Sequence, residues 1–125
     1  PVLWLPGDVP LAQLESEMKR IKNLGFNIVR YYDIDPGDND FLPYNFTIMD
    51  RWFQAARNVG IKLIFHPKME RPSLQVLKEK YGLTVEAFEG LAADDSRFYT
   101  IMDDLLSPVV KRYKDNPALL AWGGF

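Results

Sequence analysis

Short apolar segments alternate with amphipathic segments along the whole sequence. The apolar segments are rich in β-branched and aromatic residues, which predicts strands at residues 2–5, 26–32, 61–65 and 118–125. Because strands that alternate with helices run parallel and are joined by right-handed crossovers, this order predicts an α/β fold with a parallel sheet. The strands are almost wholly apolar, and that composition favours burial on both faces of the sheet.

The segments between the strands have the spacing of amphipathic helices. In the first of them, Leu11, Leu14 and Met18 recur at helical spacing with charged residues between them, and Gly25 is predicted to end the helix. Further helices are predicted over residues 45–58, 73–81 and 84–91, and a longer one begins at Asp94 or Asp95. The chain is thus predicted to be strand, helix, strand, helix, strand, several helices, strand.

Composition excludes several classes of protein. The 15 Lys and Arg residues nearly balance the 17 Asp and Glu residues, whereas nucleic-acid binders are usually strongly basic. No apolar run approaches the roughly 20 residues that a membrane helix needs. The absence of cysteine excludes a disulfide scaffold and a thiolate metal site, but it leaves the compartment open. With one histidine and no phosphate-binding glycine motif, we expect neither a metal nor a cofactor.

The length and the strand count together favour part of a larger sheet. A length of 125 residues allows one domain, yet a complete (β/α)8 barrel needs about 250 residues. Two architectures fit the order of elements: an open doubly wound sheet, or strands 1–4 of a parallel (β/α)8 barrel. Since the sequence starts at Pro1 without a signal segment and its last residues are a buried-type strand, we expect a piece of a longer protein.

Candidate site residues follow the strands, because ligands of parallel α/β proteins bind at the carboxyl ends of the strands. Arg30 lies within an apolar strand, where a buried guanidinium needs a partner. It is predicted either to hold a catalytic carboxylate or anionic ligand, or to form a structural ion pair. His66 follows the third strand and is predicted either to contact a ligand as donor, acid or base, or to be a satisfied strand-end histidine.

Aromatic residues near the strand ends form the second group of candidates. Tyr31, Tyr32 and Trp122 are predicted to face a ligand, because aromatic rings suit the apolar faces of sugars, although such rings also fill cores. Asp33 and Asp35 have the residue type that glycoside hydrolysis requires in pairs. Their spacing within one polar loop instead favours an ordinary turn, and Asp33 is kept only as a supporting residue.

Three segments of this chain resemble the clan A glycoside hydrolases, the retaining enzymes that include cellulases, mannanases and β-galactosidases. Residues 18–30, which end in Phe-Asn-Ile-Val-Arg, are similar to the signature from the first helix to the second strand of that clan. Residues 49–64 are similar to the signature from the second helix to the third strand, and residues 110–122 resemble the approach to the fourth strand. The resemblance covers most of the chain outside residues 68–91.

The resemblance implies the N-terminal half of a (β/α)8 glycosidase domain over residues 1–125, acting on a β-linked oligo- or polysaccharide. Arg30 matches the arginine that supports the nucleophile, and His66 matches the third-strand histidine of the cellulase branch. The acid/base and nucleophile glutamates of the clan would lie beyond Phe125, so the isolated chain is expected to be inactive, with no catalytic residue of its own.

The resemblance also implies partners. A carbohydrate substrate is expected, together with either the missing C-terminal half of the barrel or self-association, and neither nucleic acid nor membrane is expected. An alternative is a half-barrel that serves as an assembly or carbohydrate-binding module without catalysis, because its sheet edges would be open for pairing. A third interpretation is a different (β/α)8 or doubly wound enzyme.

Overall fold

The computed structural model describes residues 9–32, 46–67 and 74–123. Within them the chain forms five helices and three strands, and these are, in order, α1 Leu11–Asn23, β1 Ile28–Tyr32, α2 Thr47–Val59, β2 Lys62–His66, α3 Leu74–Tyr81, α4 Val85–Glu89, α5 Ser96–Tyr113 and β3 Leu119–Trp122. The chain divides into two compact units. The first contains α1, β1, α2, β2, Tyr113 and β3, and the second contains α3, α4 and the rest of α5.

The first unit is built on a parallel sheet with the strand order β1-β2-β3. The α/β class is therefore confirmed, but the prediction of a (β/α)8 barrel fragment with four strands is wrong. The described residues form three strands, and the segment Val2–Leu5 lies outside them. The physical reason is that alternating strands and helices specify parallel crossovers, while they do not specify how many strands join or whether the sheet closes.

The two faces of the sheet differ in burial, so the expectation that both are buried is also wrong. Val29 and Tyr31 of β1 and Leu63 and Phe65 of β2 are buried, whereas their neighbours along each strand are exposed or half-buried. We call the first face the covered face and the second the open face. The alternation follows from the pleat, which directs successive side chains to opposite sides.

Stacked aromatic rings fill the core beneath the covered face. The Tyr31 ring stacks on Trp52 of α2 at a centroid distance of 4.3 Å and on Phe65 at 5.0 Å. Phe53 stacks on Tyr113 at 4.3 Å. Such rings bury large apolar areas, and offset or edge-on pairs add about 0.5–1.5 kcal/mol each. The apolar stripe of α2 therefore holds this helix on the sheet.

A glycine in the left-handed conformation ends α2. Gly60 follows α2 with φ of +73°, a conformation that side chains other than glycine rarely adopt. The Lys22 ammonium of α1 donates a hydrogen bond of 2.8 Å to the carbonyl of Val59, the last residue of α2. This cation satisfies a carbonyl that has no partner within the helix.

Among the described strands, the two outer ones carry exposed apolar residues. Leu63 of β2 pairs with Leu119 of β3, and the next residue of β2, Ile64, pairs with Ala121. Leu120 is therefore an extra residue that forms a bulge in β3. Leu120 is half exposed, and Ile28 at the start of β1 is also exposed. Exposed edge strands can pair with other chains. Self-association nevertheless stays a prediction.

The second unit has a smaller helical core. Ile101 and Leu105 of α5 are buried, and half-buried apolar residues pack against them: Tyr81, Leu83, Phe88, Leu91 and Met102. At the start of α5 the Asp95 carboxylate accepts a hydrogen bond of 2.8 Å from the backbone N–H of Arg97, as expected for a helix cap. None of the helices in the described part of the chain is long and apolar enough to cross a membrane.

Candidate functional site

The carboxyl end of the sheet brings two candidate residues into contact. Tyr32 ends β1, His66 ends β2, and the two are register partners in the parallel ladder. Their rings stack at a centroid distance of 4.2 Å with an interplanar angle of 20°. Both side chains are half-buried, and the Nε2 atom of His66 is buried. The strand ends thus hold an imidazole and a phenol in one aromatic stack.

Gly123, just after β3, completes this end of the sheet. Its backbone N–H donates a hydrogen bond of 2.7 Å to the carbonyl of Phe65, the residue before His66. The His66 imidazole lies so close to Gly123 that a Cβ there would overlap Cγ, Nδ1 and Cε1 of the ring. We call Tyr32, His66 and Gly123 the strand-end cluster. The strand order places the imidazole between the tyrosine of β1 and the glycine after β3.

Arg30 lies on the same open face, two residues before Tyr32. It pairs in register with Ile64, which pairs with Ala121 on the other side. Two residues along a strand span about 7 Å, so the guanidinium is within reach of a molecule bound at the strand-end cluster. Arg30 is exposed, contrary to the expectation of a buried cation that must have a protein partner. Its role as a clamp stays a prediction.

The remaining candidates lie elsewhere. Tyr31 is on the covered face, where it is 2% exposed and packs against Trp52 and Phe65. Trp122 pairs in register with Phe65, and their ring centroids are 5.7 Å apart. Asp33 lies outside the described residues. The structure therefore brings together Arg30, Tyr32 and His66 and separates them from the other two aromatic candidates.

The sequence analysis missed Gly123 as part of the site. Its signal lay in the alignment of the strand ends, since a glycine lies near the end of the fourth predicted strand and a histidine follows the third. A glycine beside a bulky ring in a parallel sheet marks a close approach. Recognising it requires the register of β2 against β3, and the bulge at Leu120 shifts that register by one residue.

The open face offers hydrogen-bond donors and aromatic surface. An imidazole, a phenol and a guanidinium can donate hydrogen bonds to hydroxyl groups. Residues 9–32, 46–67 and 74–123 contain no cluster of His, Cys, Asp and Glu that could hold a metal ion. The side chains at this edge have the groups that can hydrogen-bond a polar ligand.

The second unit has a separate pocket of about 140 Å³, which is mostly apolar. The residues around it are Tyr81, Leu83, Ser96, Arg97, Thr100 and Ile101. Beside it, the Tyr81 hydroxyl donates a hydrogen bond of 2.7 Å to Asp104, and Lys80 forms an ion pair with the same carboxylate at 3.0 Å. The hydrogen bond from Tyr81, followed by that from Lys80, lowers the pKa of Asp104 below its ordinary value. These contacts stabilise the packing of α3 against α5.

Comparison with known proteins shows a likeness of fold. No protein-family model matches the sequence, and no curated protein matches it. The structure is similar to a β-galactosidase from the psychrophilic Marinomonas ef1, with a TM-score of 0.65 and 12% sequence identity. The match covers 97% of this chain and 20% of that enzyme, so the chain spans about a fifth of its length. The chain therefore shares the fold of one part of a glycoside hydrolase.

Proposed function

We propose that this chain is the substrate-orienting part of a retaining β-glycoside hydrolase that acts on an oligo- or polysaccharide. The observation that carries the proposal is the stack of Tyr32 on His66 at the carboxyl end of a parallel sheet, with Arg30 on the same face. Carboxyl ends of parallel strands are where α/β enzymes bind ligands. The similarity of nearly the whole chain to part of a β-galactosidase supports the same conclusion.

The three residues suit the two surfaces of a sugar. A pyranose ring has apolar C–H faces, which pack against aromatic rings, and a rim of hydroxyl groups, which need hydrogen bonds. The Tyr32–His66 stack supplies ring surface together with a phenol and an imidazole, and Arg30 supplies a guanidinium with several donors. Because β1 and β2 hold these groups in register, their geometry is set before a sugar binds.

Proton transfer and nucleophilic attack are assigned to groups outside these 125 residues. Retaining hydrolysis uses two carboxyl groups about 5 Å apart on either side of the scissile bond. In the family that the sequence resembles, the acid/base glutamate ends the fourth strand and the nucleophile lies on the seventh, and both positions fall beyond the matched residues. We therefore assign Arg30 to support of the nucleophile and His66 to orientation of the sugar, with no acid or base role in this chain.

The test is a binding and turnover experiment on the purified 125-residue chain. Methyl β-D-galactopyranoside is titrated while the NMR signals of the imidazole are followed, since the chain contains one histidine and the assignment is unambiguous. We expect saturable shifts of the His66 signals, and Tyr32→Ala or Arg30→Ala should weaken binding by about tenfold, the equivalent of one ordinary hydrogen bond. We also expect no release of nitrophenol from 4-nitrophenyl β-D-galactopyranoside.

The matched control is Tyr99→Ala, which removes an exposed tyrosine of the second unit. It should leave the affinity for the sugar unchanged. The absence of saturable shifts in the unsubstituted chain would contradict the binding role. Turnover that survives in the purified chain would contradict the assignment of both catalytic carboxylates to other residues.

A further inference from the structure

Gly123 occupies a position where the backbone does not require glycine. Its φ is not positive, in contrast to Gly25, Gly60 and Gly82. An alanine could therefore adopt the same backbone conformation without strain. The obstacle is space, because a Cβ on residue 123 would lie closer than 3.0 Å to three atoms of the His66 ring, a distance that real Cβ atoms essentially never show.

Neighbouring residues on both sides of the His66 ring prevent it from shifting across the strands. Tyr32 lies on its other side, on β1, and the two rings are already stacked at 4.2 Å. The backbone of residue 123 is held as well, since its N–H donates to the Phe65 carbonyl at 2.7 Å. A side chain at residue 123 must therefore rotate His66 out of its present rotamer or separate its ring from Tyr32.

We propose that Gly123 is a positioning residue, whose bare Cα holds the His66 imidazole flat against Tyr32 at the carboxyl end of the sheet. Its consequence for ligands rests on the proposed function, in which this end of the sheet orients a β-glycoside. Gly123 then determines the site without contacting the sugar, because the ring surface and the phenol that meet the ligand belong to His66 and Tyr32. A larger residue at position 123 changes the orientation of the His66 ring, although every ligand-contacting side chain is still present.

The experiment compares Gly123→Ala with Ala121→Ser, which adds one atom at an exposed position of the same strand. In the free protein, we expect Gly123→Ala to abolish the nuclear Overhauser contacts between the His66 and Tyr32 rings and to shift both imidazole C–H signals. Ala121→Ser should preserve those contacts. With methyl β-D-galactopyranoside, Gly123→Ala should weaken binding by about tenfold, the equivalent of one ordinary hydrogen bond.

A second variant keeps the proposal testable if Gly123→Ala does not fold. In a His66→Ala background the ring is gone, so a Cβ at position 123 fits, and Gly123→Ala should cost no further stability. Unchanged ring contacts in folded Gly123→Ala would overturn the proposal, as would a double variant that is less stable than His66→Ala. If the unsubstituted chain binds no sugar, the proposed function fails, and the ring contacts of the free protein still decide the positioning role of Gly123.

Discussion

Two consecutive tyrosines show how differently the two faces of this sheet are built. Tyr31 points into the covered face, where it is 2% exposed and stacked between Trp52 and Phe65. Tyr32 points to the open face, where it is half-buried and stacked on His66. The same residue type therefore stabilises the fold at one position and shapes the candidate site at the next. The difference teaches that the position of a residue along the strand, and not its type, decides whether its side chain lies in the core or at the candidate site.

The largest expected effect is the loss of Tyr31 from the covered face. Tyr31→Ala removes a ring from the centre of an aromatic stack, and we expect it to lower the free energy of unfolding by about 3–5 kcal/mol, the usual cost of truncating a buried aromatic residue. Tyr32→Ala removes one half-buried stack and should cost about 1 kcal/mol. Urea unfolding followed by far-UV circular dichroism measures both values. Equal losses would contradict the division into a covered and an open face.

The same pair shows what could be predicted from the sequence. The helix and strand positions followed from spacing, because Leu11, Leu14 and Met18 mark a helical face whatever packs on it. The separation of Tyr31 from Tyr32 did not follow, since β1 contains apolar, charged and aromatic residues without a clear alternation of hydropathy. The burial of alternate side chains depends on α2, which packs over one face of the sheet.

The candidate site was predictable in part for a related reason. Arg30, Tyr32 and His66 were identified because they come at or just before strand ends, and parallel strands end at one edge of the sheet. Gly123 could not be identified without the register of β3. The number of strands could not be predicted from the sequence pattern either, because it depends on which segments pair and not on the hydropathy of each segment alone.

The covered face also contains a polar contact, whose loss should have the next largest effect. The Tyr113 hydroxyl donates a hydrogen bond of 2.7 Å to the Asp50 carboxylate, while the Tyr113 ring stacks on Phe53. Tyr113→Phe retains the ring and deletes only the donor, so we expect a loss of about 1–2 kcal/mol in the free energy of unfolding, as for other hydrogen bonds to partly buried carboxylates. Tyr99→Phe, at an exposed position, is the control and should change nothing. An identical unfolding free energy for Tyr113→Phe would show that this hydrogen bond does not stabilise the covered face.

The smallest expected effect belongs to a half-buried polar group at the surface, the Asp95 carboxylate at the start of α5. Hydrogen bonds from the Arg97 side chain and then from its backbone N–H lower the pKa of Asp95 from 3.8 to about 2. Because the folded pKa lies below the unfolded one, the ionised carboxylate contributes stability above pH 3.8, and this contribution is lost as the pH falls through about 2.

Arg97→Ala removes the guanidinium but keeps the backbone donor at 2.8 Å, so the pKa of Asp95 should rise without reaching 3.8. Carboxyl-detected NMR titration measures this pKa, with Lys111→Ala as the control that leaves it unchanged. A full return to 3.8 would show that the helix cap has no share in the shift, whereas a partial rise separates the share of the cap from that of the Arg97 side chain, the largest cause of the shift.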